Sequence, residues 1–304
     1  LHNCSLKRSF YRSHKMYLVN VMSCYIVHIY MLHRLYFQIT ILQDHVIFYI
    51  VDIFRYSCYL SKMFRYSCYP SKIFRYSCYL SKLLIFFSDC HELYMAGFTV
   101  SGVYSIKPDG ALFMDSVYCE MVNKTGYTVL QRRVDGLLNF NRRWLEYRYG
   151  FGNLYGEFWI GNDKMHALTT QKQYVLRVDI WDWEGSKAYA EYNSFSVEDA
   201  EQQFRLHIGG YYGDAGDSFS YHDNMVFSTE DVDNDLHTRH CAAENKGGWW
   251  FNSCYSCHLN GIYHTAWYPQ AQSKYADGIS WYTWKDSEFY SLKKVEMKIR
   301  PKTP

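Results

Sequence analysis

The chain has 304 residues, with 32 Lys+Arg against 30 Asp+Glu and ten cysteines, which is length for one large or two ordinary domains. Its net charge of +2 conceals a division: residues 1–90 carry 11 basic and 3 acidic side chains, residues 91–304 carry 21 and 27, and all 18 glycines and nine tryptophans lie at Gly97 or beyond. The acidic part excludes a nucleic-acid partner, which needs a basic face, and the glycine-free part lacks the residue that positive-φ turns require.

Residues 1–52 read as a basic, apolar segment of low order. Within it, residues 16–32 (MYLVNVMSCYIVHIYML) are a candidate signal or membrane anchor. A spanning helix needs about 20 mainly apolar residues, whereas this run contains Asn20 and His28 and is followed by Arg34, Gln38 and Asp44. Residues 53–82 are three tandem ten-residue units, IFRYSCYLSK, MFRYSCYPSK and IFRYSCYLSK. Ten residues is short of any solenoid period, and such near-identity marks a duplicated tract rather than a packed domain. The alternative is a stalk in which Cys58, Cys68 and Cys78 cross-link chains.

From Asp89 onward, clusters of Gly, Asp and Asn separate short aromatic and β-branched runs. Alternation predicts strands at 99–106, 127–134, 174–181 and 295–300. Helices are predicted at 140–150 and 196–204, capped by Asn141 and Ser196. Strands and helices do not alternate, so the expected class is α+β: a central antiparallel sheet with short helices and long loops.

Within that part, SGVYSIKPDG, TVLQRRVDG, GFGNLYGEFWIGND, AGDSFSYHDNMVFSTEDVDND, GGWWFNSC, LNGIY, GISWYTW and EMKIRP follow one another in order. Residues 88–304 thereby resemble the fibrinogen C-terminal domain, the fibrinogen-related domain of ficolin- and tachylectin-type lectins, angiopoietins and tenascins. The resemblance implies disulfides Cys90–Cys119 and Cys241–Cys254. That leaves Cys257, as a free thiol or an intermolecular link. Cys254-x-x-Cys257-His258 also has zinc-ligand spacing, a weak signal without a second pair.

Asp231, Asp233 and Asp235 alternate just before Cys241. Counted from Asp231, positions six and twelve hold Leu236 and Ala242, where an EF-hand needs Gly and Glu. By spacing alone these residues are a solvated acidic turn or a Ca2+ loop. The resemblance implies Ca2+ as cofactor, held by Asp233 and Asp235 with the carbonyls of His237 and Arg239. It further implies an acetyl-binding pocket around Cys241, Ala242 and Ala243, lined by Tyr255 and Tyr275. A cis His240–Cys241 bond would have His240 orient that pocket. Tyr255 could equally pack on Trp249 and Trp250, and those two tryptophans, with Trp281 and Trp284, are assigned to the core.

No nucleophile elbow, HExxH helix or phosphate loop is present; the glycine-rich 210–218 lacks the P-loop Lys. The expectation is a non-catalytic, secreted, Ca2+-dependent lectin for acetylated sugars on microbial surface glycans, acting in innate recognition. Anchoring to a membrane by the N-terminal apolar segment is the alternative location. Glu244 and Asn245 near Cys241 keep open the alternative of a protein–protein (receptor or matrix) module. A homo-oligomer is the expected state, although neither a collagen period nor heptads are visible. Asn3-Cys-Ser and Asn123-Lys-Thr are glycosylation sequons.

Overall fold

The computed structural model describes residues 86–302, except for 113. The N-terminal apolar segment and the repeats of 53–82 lie outside the described residues. Phe86–Pro304 forms one compact unit. In chain order its elements are α1 (Cys90–Met95), β1 (Gly102–Ile106), β2 (Asp115–Val122), β3 (Thr125–Arg133), α2 (Trp144–Tyr149), β4 (Phe151–Gly152), β5 (Phe158–Trp159) and α3 (Asn162–Thr170). These are followed by β6 (Tyr174–Trp181), β7 (Lys187–Val197), β8 (Leu206–Gly213), α4 (Cys241–Asn245), β9 (Cys257–His258), β10 (Ala266–Trp267), β11 (Ser280–Trp281), α5 (Tyr282–Lys285), β12 (Tyr290–Ser291) and β13 (Lys294–Pro301). No helix of the described residues is long and apolar enough to cross a membrane.

The main sheet is antiparallel, ordered β1-β2-β3-β13-β6-β7-β8, with β5 against β3 and β4 against β5. The fold is thus α+β with a large antiparallel sheet and few short helices, as the run pattern implied. The last strand of the chain occupies the middle of the sheet: β13 pairs Val295 with Ile180 on one side and with Arg133 on the other. One face of β13 and β6 is apolar, through Val295, Met297, Ile299, Leu176, Val178 and Ile180, all buried. The other face carries a ladder of charges. Arg132 meets Glu296 at 2.6 Å, Arg177 meets Asp179 at 2.8 Å, and Lys298 lies 2.7 Å from Asp179 while also pairing with Glu120.

Two predicted helices change. Residues 196–204 are not helical: Ser196 and Val197 end β7, and Gln203 and Phe204 both take φ 54°. Tertiary contacts override local propensity there, because the Phe204 ring packs on Trp144 and its carbonyl accepts the Trp250 indole N–H at 2.7 Å. The helix predicted at 140–150 shortens to α2. Asn141 does not cap it, since its own N–H bonds to the Asn139 side chain. Its first N–H, that of Trp144, goes instead to the carboxylate of Asp231 at 2.9 Å.

The aromatic core joins the sheet to the loop region. Trp159, Trp249, Trp250 and Trp281 are fully buried, whereas Trp284 is only half-buried against this core. Phe219 stacks on Trp249 with centroids 5.1 Å apart. Such pairs contribute about 0.5–1.5 kcal/mol beyond their burial. Through Trp249 and Trp250, residues 228–261 are built into this core.

Candidate functional site

The acidic loop is anchored at both ends. At its start, Ser228 and Trp249 exchange backbone hydrogen bonds of 2.9 and 3.0 Å. Asn234 donates from its side chain to the Phe227 carbonyl and from its N–H to the Ser228 hydroxyl. At its end, a disulfide joins Cys241, the first residue of α4, to Cys254. A second disulfide, Cys90–Cys119, ties α1 to β2.

The three aspartates then separate by role. Asp231 accepts from Trp144 N and from the Thr229 hydroxyl, so it stitches the loop to α2. Asp233 is exposed and Asp235 half-buried, and their carboxylates converge with the His240 imidazole so that one ligand atom from each lies within 4.8 Å of the others. Asp235 accepts from His237 N and from Cys241 N, both at 2.8 Å. Burial pushes its carboxyl pKa up, the two N–H groups pull it down, and the like charge of Asp233 pushes it up again; the net direction is upward. Bringing a second negative oxygen close is costly unless a cation joins them. The carbonyls of His237 and Arg239 accept no hydrogen bond among the described residues. The two carboxylates, with His240 beside them, are a candidate group for holding a metal ion, and carboxylate oxygens are the ligands a hard cation such as Ca2+ prefers.

His240 is bonded within the loop and to the start of α4. Its Nδ1 accepts from Ala243 N at the start of α4 and lies 3.8 Å from Asp233, and its Nε2 lies 3.1 Å from the Glu230 carbonyl. The expected cis bond at His240–Cys241 is trans, and Cys241 N donates to Asp235 at 2.8 Å. The cis peptide among the described residues is Ser253–Cys254.

The zinc alternative fails on chemistry. Cys254 is already oxidised in a disulfide and so is no thiolate ligand. Cys257 is a free thiol, fully buried where β9 pairs with β11, which removes it as an intermolecular link. Burial pushes its pKa well up, away from reactivity. His258 is buried too, its Nε2 3.0 Å from the Asn245 carbonyl, and its pKa falls to about 3 by desolvation.

Around α4, Tyr255 packs its ring on Phe251 and His258 and donates its hydroxyl to the Ala276 carbonyl. It therefore fastens the segment after Cys254 to the 273–278 loop, and neither Trp249 nor Trp250 is its ring partner. Tyr275 lies at the rim, with Lys274 at 5.1 Å and Arg239 at 5.7 Å from its centroid. Arg239 also pairs with Glu244 at 3.3 Å. Sequence reasoning used the Arg239 carbonyl and missed this side chain, because its partners come from α4 and from a loop 36 residues further on. Ala242 is buried within α4 and lines no open surface. The nearby His264, Asp277 and Ser273 are not a catalytic triad: His264 and Ser273 bond to opposite oxygens of the same Asp277 carboxylate, at 2.8 and 2.7 Å. The base therefore does not face the hydroxyl.

Residues 86–302 match the family described as fibrinogen beta and gamma chains, C-terminal globular domain. The chain belongs to this family. Over 229 residues it is 45% identical to human fibrinogen-like protein 1, covering 71% of this chain and 72% of that protein. The fibrinogen-like globe domain of human ANGPTL2 aligns with TM-score 0.69 and 42% identity, covering 71% of this chain and all of that one. A lamprey fibrin D-dimer complexed with the peptide ligand Gly-His-Arg-Pro-amide aligns with TM-score 0.69 and 33% identity, covering 100% of this chain and 93% of that one. These relatives correct the sequence-based leaning toward ficolin- and tachylectin-type lectins within the fibrinogen domain family.

Proposed function

We propose that residues 88–304 form a non-catalytic extracellular recognition module that binds a protein partner, with Ca2+ held by Asp233, Asp235 and the carbonyls of His237 and Arg239. The observation that carries the reading is the surface around α4. Arg239, Glu244, Lys274 and Tyr275 gather there above the disulfide, beside the carboxylate pair. A mixed-charge rim around an aromatic ring suits a polar protein or peptide surface. The relatives support it: one is an angiopoietin-like globe domain, and another was solved with a short peptide. Two disulfides suit an oxidising, extracellular setting. When bound, Ca2+ would neutralise Asp233 and Asp235 and hold the loop against α4; the protein itself supplies the rim that meets the partner.

The test is a display screen of the full chain, secreted with a cleavable leader, against cell-surface and matrix proteins, in Ca2+ and in chelator. The expected hit persists after enzymatic deglycosylation of the partner and is lost in Arg239→Ala/Lys274→Ala. Binding abolished by free N-acetylated sugar would replace this reading with the lectin one.

A further inference from the structure

The hairpin joining β2 to β3 closes on the Val122–Thr125 pair and leaves a two-residue tip, Asn123-Lys124. Both tip residues have positive φ, 52° and 61°, the conformation of a type I′ turn that follows the twist of paired strands. Asparagine accepts this left-handed conformation more readily than most residues with a Cβ. Val122, Asn123 and Lys124 are exposed, and the Asn123 amide enters no hydrogen bond among the described residues. Thr125 follows, its hydroxyl 2.8 Å from His91 Nδ1. A solvent-facing, uncommitted asparagine at a hairpin apex thus coincides with the acceptor pattern Asn-x-Thr.

We propose that Asn123 is a modification site carrying an N-linked oligosaccharide. The proposal rests on the extracellular reading above, since the transfer occurs in the secretory compartment. In the step, Nδ2 of Asn123 forms a glycosidic bond to the anomeric carbon of an oligosaccharide. The bond from that carbon to the diphosphate of a polyprenyl lipid donor breaks, the diphosphate leaves with the electron pair, and the amide proton passes to a base. Transfer precedes folding, so the folded domain has only to leave room, and the tip does. The sugar has a physical task at this end of the domain. His91 touches Thr125, and Met95 lies one helical turn along the same face of α1. Met95 is 71% exposed and Val122 37%. A hydrated oligosaccharide rooted beside Val122 shields exposed apolar surface at this end of the domain from other chains.

The test expresses the full chain behind a cleavable leader in a eukaryotic secretory cell. The peptide containing residue 123 is then released by peptide N-glycosidase in heavy-oxygen water. The expected result is conversion of Asn123 to isotope-labelled aspartate, with a band shift that falls by one step in Asn123→Gly and persists in Thr125→Ser. Glycine keeps the left-handed turn without a Cβ, so folding is preserved. Formation of the Cys90–Cys119 bridge reports arrival in the oxidising compartment. A bridged chain with unmodified Asn123 overturns the site alone; a chain that stays reduced overturns the extracellular reading beneath it.

Discussion

Asp179 in the sheet and Asp235 in the acidic loop are the same residue in similar partial burial, yet their acidities move in opposite directions. For Asp179, burial pushes the pKa up, but Arg177 and Lys298 overcome it and the net shift is downward. For Asp235, burial and Asp233 prevail over two backbone N–H groups and the net shift is upward. The sheet contains its own cations at fixed register positions, so its charged face is complete as folded. The loop gathers carboxylates with no lysine or arginine paired to them among the described residues, and only the His240 imidazole, 3.8 Å from Asp233, stands near as a basic group. A β ladder can hold a cross-strand ion pair; the proposed Ca2+ site would need the loop to leave that position open.

The largest expected effect tests the self-sufficient side. Lys298→Met removes the cation shared by Asp179 and Glu120 while Arg177 stays on Asp179, and is expected to cost about 3 kcal/mol, the low end for a broken buried pair, read by urea denaturation, equally with and without Ca2+. A loss under about 1 kcal/mol would break the contrast. The same pair sets a pH dependence. Because the folded pKa of Asp179 is lowered, its stabilisation is present above the ordinary aspartate range and is lost as pH falls through the folded value. Acid titration of stability should therefore flatten in Lys298→Met.

Next is the clamp on the loop. Replacing Cys241 and Cys254 with serine is expected to cost about 3 kcal/mol by released chain entropy and to weaken the response to Ca2+, because the backbone N–H of residue 241 that meets Asp235 is no longer tethered through the disulfide. A double variant with undiminished Ca2+ response would show that the loop is organised without its clamp.

Calcium itself comes third. At a concentration of about a hundred times Kd, binding adds roughly 2.7 kcal/mol, seen as a fall in Tm on chelation. Asp233→Asn should abolish that fall, and equal melting of the wild-type chain with and without chelator would count against the site. The smallest effect separates the third aspartate from the other two. Asp231→Ala removes the acceptor for Trp144 N and should cost about 1 kcal/mol, as lost helix caps do, while the chelator-dependent shift stays as in the wild type.

Local pattern carried far in this chain. The strand read at 174–181 coincides with β6, because YVLRVDIW alternates and is bounded by breaks in that alternation. The C-terminal run 295–300 falls inside β13. β7 was half-hidden: its last residues, Ser196 and Val197, were read as the start of a helix because the acidic stretch after them has helical composition. What stops that helix is Phe204, drawn into the aromatic core.

The ordered motifs, the alternating aspartates and the two cysteines near them were determined by the sequence alone, since each depends on neighbours a few residues away. Tertiary structure decided which aspartate does what. Asp231 is spent on a helix 87 residues earlier, and Asp233 and Asp235 are left facing each other. It also turned His240 toward the carboxylates and set Arg239 beside Glu244 and Tyr275. The Asp231–Trp144 and Arg239–Tyr275 contacts join distant parts of the chain, and the local ones depend on how the loop bends before α4, which spacing along the sequence does not record.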